Sequence, residues 1–306
     1  MKDYYYCIDV GGTDIKGGII DNDYSIVCTE KIETTKSKDG TVLEKSILNL
    51  IEKLEQSSNL PVQNALGIGI GFPGLVDSVS GILKFIPSLS LKEYNIVDKL
   101  KKTLNVPIKI ANDAELALLA EQTLGNGRNY KNFILLTLGT GVGSGLVING
   151  IPLRNTLPYS CEFGHNLIED NKTCLDNFVS TRALIEQTKI AMKNNPNSKM
   201  WSTYNLKTVS GKTVFDFKDS DETAKQVFEV YIQNLGKQIV NLCNVFTPET
   251  VIIGGGISSQ GENLTAPLEK YVNNNLFIKV IDKSIKITTA KFLNNAGIFG
   301  ARCLFN

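Results

Sequence analysis

Asn112 and Asp113 are the residues whose types and position best suit catalysis, because they lie where a buried strand should meet a helix. The apolar run from Val106 to Ala111 predicts the strand, and leucines at helical spacing after Asp113 predict the helix. A carboxylate at a helix start is fixed in place and faces electropositive N–H groups, which suits a base that must meet a substrate hydroxyl. The alternative is a plain N-cap with no role in catalysis.

A glycine turn between two predicted strands could bind an anion such as phosphate. Gly11 and Gly12 let backbone N–H groups approach the anion closely, and Thr13 adds a hydroxyl donor. Asp9, at the end of the first strand, could hold a hydrated Mg²⁺, and Lys16 could offset phosphate charge. The alternative is a β-hairpin whose glycine turn binds nothing.

A second glycine-rich segment, Gly139–Gly145, lies between two predicted strands and begins with Gly139, Thr140 and Gly141. A Rossmann fingerprint would need a helix after these glycines, so a dinucleotide-binding fold is not favoured. The chain also contains no Walker A sequence, which excludes a P-loop of that type.

A third glycine turn consists of Gly254, Gly255 and Gly256, which follow an apolar strand. Close approach of a flat ligand such as adenine would use this turn, but so would a plain connection from a strand to a helix. Each of the three turns is ambiguous alone. Three glycine turns at strand ends, with the Asp113 carboxylate between the first and the second, indicate phosphoryl transfer from a nucleotide.

The composition is that of an ordinary globular protein with room for two domains. The chain has 306 residues, of which 42% are hydrophobic and 21% are charged. Because the formal net charge is only +1, neither nucleic acid nor an anionic membrane is expected as the main partner. No apolar run is long enough to span a bilayer, and the N-terminus has no signal-peptide pattern. The six cysteines are scattered, so we expect reduced thiols and a cytoplasmic location.

Predicted strands and helices alternate along the chain, which favours an α/β fold. A pattern of strand, glycine turn and strand occurs near Gly11 and again near Gly141, which suggests two halves of similar build. The predicted strands are Tyr4–Val10, Ile15–Ile20, Ser25–Ile32, Ala65–Phe72, Ile82–Ile86, Val106–Ala111, Phe133–Leu138, Leu146–Ile148, Thr250–Ile253 and Ile285–Thr289. The predicted helices are Asp39–Gln56, Ile96–Leu104, a segment after Asp113, Leu175–Met192, Asp221–Asn244 and Ala296–Leu304.

The order of these motifs resembles that of sugar kinases of the ROK type (repressor, open reading frame, kinase), which have an actin-like, RNase H-like ATPase fold. The resemblance implies two α/β lobes with an interlobe cleft. An N-terminal lobe would span residues 1–111, with the C-terminal helix of residues 293–306 returning to it, and a C-terminal lobe would span residues 112–292. The matching segments are Asp9–Thr13 with Lys16, Pro73–Asp77, the pair Asn112-Asp113, Gly139–Gly143, Glu162–His165 and Gly254–Gly256.

The resemblance implies an ATP-dependent kinase that phosphorylates a hexose, with the 6-hydroxyl of glucose as the favoured acceptor. Asp113 would take the proton from the sugar hydroxyl as the phosphoryl group arrives. Phosphoryl transfer needs mainly positioning and charge neutralisation, so one base and Mg²⁺ can suffice. The family also suggests a homodimer.

The sugar-binding residues are implied by the same resemblance. Asn112, Glu162 and His165 would bind sugar hydroxyls, and Gly74 belongs to the same set. Asp176 stands where family members usually carry a sugar-binding Glu, and its side chain is one methylene shorter. His165 is the only histidine in the chain, and outside its motif a structural role would be the ordinary expectation.

No structural zinc is expected, although many ROK kinases hold Zn²⁺ with one histidine and three cysteines. Here eight residues separate His165 from Cys174, and none of them is a cysteine. A tetrahedral site would therefore lack two ligands.

Other functions fit parts of the pattern. The acceptor could be fructose, mannose, N-acetylmannosamine or a β-glucoside, since Ser88–Leu91 departs from the family's usual sugar loop. A sugar-sensing repressor is the rival from another class, but such repressors carry a DNA-binding domain before the first phosphate motif, and only eight residues precede Asp9. The intact Asp9 and Asp113 argue against a sugar-binding pseudokinase.

Overall fold

The computed structural model describes residues 3–153, 161–168, 173–277 and 284–306, and these residues form a mixed α/β structure, as predicted. Within them the strands are β1 (Tyr4–Val10), β2 (Asp14–Asp21), β3 (Ile26–Glu33), β4 (Gly67–Phe72), β5 (Leu75–Asp77), β6 (Ile82–Ile86), β7 (Leu91–Asn95), β8 (Ile108–Asn112), β9 (Phe133–Leu138), β10 (Val142–Ile148), β11 (Ile151–Pro152), β12 (Thr250–Gly254) and β13 (Lys286–Thr289). The helices are α1 (Gly40–Ser58), α2 (Ile96–Leu100), α3 (Asp113–Thr123), α4 (Asp176–Val179), α5 (Thr181–Asn194), α6 (Thr213–Phe217), α7 (Glu222–Phe246), α8 (Glu262–Asn275) and α9 (Ala296–Cys303).

The described residues divide into two compact units, which we call the first unit (residues 3–124 and 294–306) and the second unit (residues 125–153, 161–168, 173–277 and 284–293). Each unit contains a five-stranded sheet. The strand order is β3-β2-β1-β4-β8 in the first unit and β11-β10-β9-β12-β13 in the second. When the five strands of each sheet are numbered in the order in which they occur along the chain, both sheets have the order 3-2-1-4-5. The repeat suggested by the glycine turns is therefore present.

The centre of the first sheet is covered by helices on both faces. β1 pairs antiparallel with β2 and parallel with β4, which pairs parallel with β8. All six residues of β4 are buried, as expected for a strand covered on both sides. On β2, Gly17 lies against Leu54 of α1, and Gly18 lies against Ile298 of α9. The two helices therefore pack on opposite faces of the sheet.

Helix α3 belongs to the first unit, whereas the sequence-based boundary after Ala111 assigned it to the second lobe. The helix packs closely against α9, since a side chain on Gly300 would collide with the backbone of Leu116. The chain leaves the first unit only after Leu124. Nothing in the sequence of α3 identifies a partner helix almost 200 residues later, so the local pattern placed the boundary too early.

A smaller antiparallel sheet, β5-β6-β7, also lies in the first unit. Only β6 corresponds to a predicted extended segment. β7 was not predicted because it is mostly polar: Leu91 is its only buried residue, and Lys92 and Glu93 are exposed. Such an edge strand carries little of the apolar signal on which the prediction depends.

Helix α7 forms much of the core of the second unit. Tyr231, Leu235 and Ile239 on its predicted apolar stripe have no exposed surface. Complete burial of a side chain such as Leu235 contributes roughly 2 kcal/mol to folding. Although α7 has 25 residues, neither it nor any other described helix is long and apolar enough to cross a membrane.

The predicted helix from Leu175 to Met192 is interrupted at Ser180. The backbone of Ser180 is extended, with φ −66° and ψ 158°, and its hydroxyl accepts the N–H of Ala183 at 3.1 Å. Ser180 is thus the N-cap of α5 and separates it from the short α4. As a result Asp176 lies on a single turn of helix that is separate from α5.

Candidate active site

The junction predicted at Asn112 is present in the first unit: β8 ends at this residue and α3 begins at the next. Asn112 Oδ1 accepts the backbone N–H of Ala114 at 2.8 Å and that of Glu115 at 3.4 Å, so Asn112 is the N-cap of the helix. Asn112 Nδ2 donates to the carbonyl oxygen of Gly74 at 2.8 Å. The side-chain amide therefore uses both its acceptor and its donor to fix the start of α3.

Asp113 is the first residue of α3, and its side chain is exposed. Its Oδ1 accepts the N–H of Ala114 at 2.8 Å, which orients the carboxylate at the helix start. Because N–H groups at a helix N-terminus point outward and carry partial positive charge, they favour an anionic side chain at this position. The geometry provides an accessible carboxylate on a rigid backbone, as a general base requires.

Gly74, the partner of Asn112, occupies a position that only glycine tolerates. Its φ is +89°, in the left-handed region, and a side chain there would collide with the carbonyl oxygen of Phe85 and approach Pro87 Cδ to 2.6 Å. The predicted motif around Gly74 thus has a direct structural role, because it brings a carbonyl oxygen to the side chain of Asn112.

Asp9 lies near the carboxyl end of β1, opposite Lys16 of β2 and beside Gly71 of β4. A side chain on Gly297 of α9 would collide with the Asp9 carboxyl group, so this close approach also needs glycine. Burial raises the pKa of Asp9, and the positive charge of Lys16 opposes that rise. An ionised Asp9 is therefore costly for the folded chain, and a cation bound beside it would relieve that cost.

The first glycine turn connects β1 to β2 in the same unit. Gly11 N donates to the carbonyl oxygen of Asp14 at 2.8 Å, and the Thr34 hydroxyl donates to the carbonyl oxygen of Gly11 at 2.8 Å. Gly12 lies next to Ser88, whose Cβ is 3.4 Å from the position a glycine side chain would take. Thr13 is exposed, so its hydroxyl is accessible to a ligand.

In the second unit, two glycine turns follow neighbouring parallel strands. β9 and β12 run side by side, with Gly254 opposite Thr137, so the turns after both strands emerge at one edge of the sheet. Ligands of α/β sheets commonly bind at such carboxyl edges. Gly255 has φ +84°, and a side chain there would collide with the carbonyl oxygen of Leu138. The third predicted turn therefore lies against Leu138, the residue directly before the second.

The turn after β9 is shorter than the glycine pattern suggested. Gly139 N donates to the carbonyl oxygen of Gly141 at 2.9 Å, and β10 begins at Val142. Only Gly139, Thr140 and Gly141 therefore form the turn, which we call the phosphate turn, because the last glycines of the segment pair with β9.

The residues of both units have the chemistry that Mg²⁺ and a nucleotide require. At Gly139 and Gly256 no atom of the described residues lies within 4 Å of the position a Cβ would take, so the main chain is open to a ligand there. Main-chain N–H groups of glycine turns suit phosphate. Asp9 provides a carboxylate oxygen, which is a preferred ligand of Mg²⁺ or of the water bound to it.

Arg182, which the sequence did not single out, lies beside the phosphate turn. Its Nε donates to the carbonyl oxygen of Thr140 at 3.0 Å. Its backbone N–H donates to the carbonyl oxygen of Gly139 at 3.3 Å. Nη2 donates to Asn177 Oδ1 at 3.1 Å. The side chain is exposed. The positively charged guanidinium of Arg182 is thus hydrogen-bonded to the turn at the place where phosphate charge is expected. The signal that could have found it is its position in the first turn of α5, just after the Ser180 N-cap.

Glu162, His165 and Asp176 are close together in the second unit. Glu162 precedes a single helical turn, Phe163–His165, in which His165 N donates to the carbonyl oxygen of Glu162 at 3.1 Å. Burial raises the pKa of Glu162; His165 lowers it, and Asp176 raises it further. A short antiparallel bridge between Leu167 and Cys174 returns the chain from His165 to Asp176. The three predicted sugar ligands of this unit therefore form one polar cluster.

Cys161 precedes this cluster and contacts its neighbours through its backbone carbonyl oxygen. Its φ is +60°, and its carbonyl oxygen accepts hydrogen bonds from Phe163 N at 2.8 Å and from the hydroxyl of Ser144. Among the described residues, no group of three or more His, Cys, Asp and Glu side chains could hold a metal ion together. Absence of zinc remains a prediction.

Comparison with known proteins gives the family. The ROK family pattern matches the chain over residues 5–306. The chain belongs to the ROK family. This confirms the family resemblance inferred from the glycine turns, the Asn112-Asp113 pair and the Glu-x-Gly-His motif.

The relatives of this ROK protein include enzymes and regulators. A glucokinase from Halalkalibacterium halodurans is 30% identical over 312 residues, covering 98% of this chain and 94% of the glucokinase. A xylose repressor from Caldicellulosiruptor bescii is 27% identical, covering 94% of this chain and 75% of the repressor. A ROK family glucokinase from Streptomyces griseus, solved in complex with glucose and AMPPNP, has a TM-score of 0.85 at 24% identity, with 98% of both chains covered. The last comparison confirms the predicted fold.

Proposed function

We propose that this ROK protein is an ATP-dependent sugar kinase that phosphorylates a hexose, with the 6-hydroxyl of glucose as the favoured acceptor. The observation that carries the proposal is the exposed carboxylate of Asp113 at the start of α3. The preceding Asn112 fixes this helix start, because its side chain accepts the N–H of Ala114 and donates to the carbonyl oxygen of Gly74. A plain helix cap would not need the additional bond from Asn112 to Gly74. The glucokinase relative supports the same substrate class.

In the proposed reaction, the Asp113 carboxylate accepts the proton of the sugar hydroxyl, whose oxygen attacks the terminal phosphorus of ATP while ADP leaves. The enzyme contributes mainly alignment and charge stabilisation, because the transition state for phosphoryl transfer is loose. Alignment depends on a fixed backbone at Asp113, which Asn112 and Gly74 provide. A shift of the base by about 1 Å can cost roughly 100-fold in rate.

Nucleotide binding is assigned to the glycine turns. Gly11 and Gly139 donate their own N–H groups within the turns, so they would let phosphate approach closely rather than bind it directly. The N–H groups of Gly12, Thr140 and Gly141 would bind phosphate oxygens, and Lys16 and the Thr13 hydroxyl would add side-chain donors. Gly254–Gly256 would lie against the adenosine. Asp9 would hold Mg²⁺ through water, and the ion, when bound, neutralises phosphate charge.

Sugar binding is assigned to Glu162, His165 and Asn112, with Gly74 at the Asn112 side chain and Asp176 in the same cluster as Glu162. A partly buried carboxylate such as Glu162 discriminates between sugars, because a missing hydroxyl leaves it without a partner. These residue types accept glucose, fructose, mannose, N-acetylmannosamine and a β-glucoside alike, so the acceptor has to be measured.

The test is ADP release, coupled to NADH oxidation, from the purified protein with ATP, Mg²⁺ and each of those five sugars. Asp113→Asn should retain sugar binding in calorimetry while losing nearly all turnover. Asp98→Asn is the matched control, since Asp98 is another exposed aspartate in the first turn of a helix of the same unit. Its turnover should stay at the wild-type level. Wild-type turnover in Asp113→Asn would show that Asp113 is not the general base.

A sugar-sensing regulator is the second candidate, and the xylose repressor relative is the observation that favours it. The same experiment separates the two functions. A regulator would bind a sugar in calorimetry and release no ADP above the rate without sugar. Sugar-dependent ADP release would exclude a purely regulatory protein.

A further inference from the structure

The carboxylate of Asp176 reaches the end of the phosphate turn. Its Oδ1 accepts the backbone N–H of Val142 at 2.7 Å. Val142 is the first residue of β10 and directly follows Gly141. A residue expected to bind sugar is therefore hydrogen-bonded to the segment expected to bind nucleotide phosphate.

Two glycines make this approach possible. A side chain on Gly164, in the middle of the Glu-x-Gly-His motif, would collide with Asp176 Oδ1 and with the carbonyl oxygen of Val142. A Cβ on Gly141 would lie 2.7 Å from Asp176 Oδ2. The carboxylate thus fits between the backbone of the sugar motif and the backbone of the phosphate turn, in contact with both.

The fit is specific to the length of an aspartate. Oδ1 is occupied by Val142, and both oxygens lie against glycine backbone, so an added methylene would push the carboxylate into Gly141 or Gly164. The charge of Asp176 also acts on Glu162, whose pKa is raised first by burial and further by Asp176. Asp176 is therefore linked to the sugar motif by packing and by charge, and to the phosphate turn by a hydrogen bond.

We propose that Asp176 is a positioning residue that couples the two binding sites: a sugar held at Glu162 and His165 fixes Asp176, and Asp176 fixes the phosphate turn through Val142. The inference rests on the proposed kinase function and adds a mechanism of substrate synergism to it. When one ligand orders a shared element, the second ligand loses less conformational entropy on binding. The coupling must be reciprocal, so nucleotide tightens sugar binding by the same factor.

The experiment measures the Kd of Mg²⁺-AMPPNP by calorimetry with and without the sugar that gives the highest turnover. For the wild type we expect sugar to tighten nucleotide binding by about tenfold, within the usual range of coupling between sites. Asp176→Asn keeps the size and the acceptor oxygen and should retain the coupling. Asp176→Ala removes the acceptor and should reduce the coupling to near onefold. Asp219→Ala, at an exposed aspartate of the same unit, is the matched control and should behave as wild type.

A measurement on the unaltered protein covers the case in which Asp176→Ala does not fold. Sugar alone, without nucleotide, should slow hydrogen exchange of the Val142 amide, which is resolved in peptides covering residues 139–145. Unchanged exchange would overturn the proposal, as would wild-type coupling in Asp176→Ala. Equal loss in Asp176→Asn and Asp176→Ala would show that the negative charge, rather than the bond to Val142, is what matters, and would also overturn it.

The outcomes distinguish this inference from the proposed function. A wild-type protein that phosphorylates sugar but shows no coupling would overturn only the role of Asp176. A wild-type protein that binds neither AMPPNP nor any of the five sugars would overturn both.

Discussion

Asn112 Nδ2 donates to the carbonyl oxygen of Gly74 at 2.8 Å, which joins the start of α3 to the turn after β4. The same side chain caps α3 through Oδ1, which accepts the N–H of Ala114 at 2.8 Å. One amide therefore combines a structural cap with a bond that positions the adjacent Asp113. Because the two bonds use different atoms, substitutions can separate them.

Asn112→Ser should keep the cap and lose the bond to Gly74, since serine is a good N-cap but too short to reach that carbonyl. Asn112→Ala should lose both, and its free energy of unfolding should fall by about 1 kcal/mol more than that of Asn112→Ser. In both variants kcat should fall at least roughly tenfold, because Asp113 is no longer aligned. Urea unfolding and steady-state kinetics provide the measurements. Wild-type kcat in Asn112→Ser would show that the bond to Gly74 has no catalytic importance.

Local sequence signals were sufficient for the strand-to-helix junction at Asn112, since an apolar run and a capping residue are both local features. They were insufficient for the glycines of Gly139–Gly145. The sequence suggested one long turn, but Gly143 and Gly145 pair with Thr137 and Leu135 of β9. Whether a glycine belongs to a strand or to a turn is decided by the neighbouring strand, which the local pattern does not contain.

The hydrogen bonds that hold the phosphate turn could not be predicted from the sequence either. The bond from Val142 to Asp176 and the bond from Arg182 to Thr140 both depend on the break at Ser180, where the pattern predicted a continuous helix. The motifs predicted which residues belong to the site. The contacts among them required the three-dimensional structure.

Gly255 and Gly256 provide a matched pair within one predicted motif. Gly255 has φ +84° and would place a Cβ against the carbonyl oxygen of Leu138, whereas no atom of the described residues lies within 4 Å at Gly256. Gly255→Ala should lower the free energy of unfolding by on the order of 2 kcal/mol, because the backbone is strained and the two turns are pushed apart. Gly256→Ala should remain within about 0.5 kcal/mol of wild type but weaken AMPPNP binding if adenosine lies there. Chemical denaturation and calorimetry test both; equal stability of the two variants would contradict the assignment.

Asp9 should illustrate a conflict between stability and activity. Burial raises the pKa of Asp9 in the folded chain, so the stability linked to its proton is lost as pH rises from the ordinary value of about 3.9 towards that raised pKa. Asp9→Asn removes the buried charge. It should therefore raise Tm at pH 7, with a smaller difference at pH 4, while activity with Mg²⁺ and ATP falls strongly. A lower Tm at pH 7 would contradict the sign of this effect, and thermal unfolding at the two pH values measures it.

Because of Glu162, we expect kcat/KM for sugar to fall on the acid side of its pH profile. It must be ionised to accept a sugar hydroxyl, and burial, opposed by His165 and reinforced by Asp176, raises its pKa above the usual value of about 4.3. The kcat/KM for sugar should therefore fall at low pH with a midpoint above that value. Glu162→Gln should lower kcat/KM at neutral pH and flatten the acid limb. A limb that persists unchanged in Glu162→Gln would have to come from another group, such as Asp113.

Arg182 should contribute to nucleotide binding through both geometry and charge. Its guanidinium donates to Thr140 O of the phosphate turn at 3.0 Å and to Asn177 Oδ1 of α4 at 3.1 Å, so its planar fork joins the turn to α4. Arg182→Lys keeps the charge but loses the fork, and Arg182→Ala loses both. We expect the Kd for AMPPNP to rise about threefold in the first variant and about tenfold or more in the second, since a hydrogen bond to a charged group contributes about 1.5–3 kcal/mol.

Arg128→Ala is the control for this prediction, because it removes the same charge from another exposed arginine of the second unit. Its Kd for AMPPNP should stay at the wild-type value. The ionic-strength dependence of binding gives a second readout: loss of a phosphate-facing cation should make the Kd less sensitive to salt in Arg182→Ala than in the wild type. If Arg182→Ala and Arg128→Ala weaken binding equally, the effect is one of net charge, and Arg182 has no particular role at the phosphate turn.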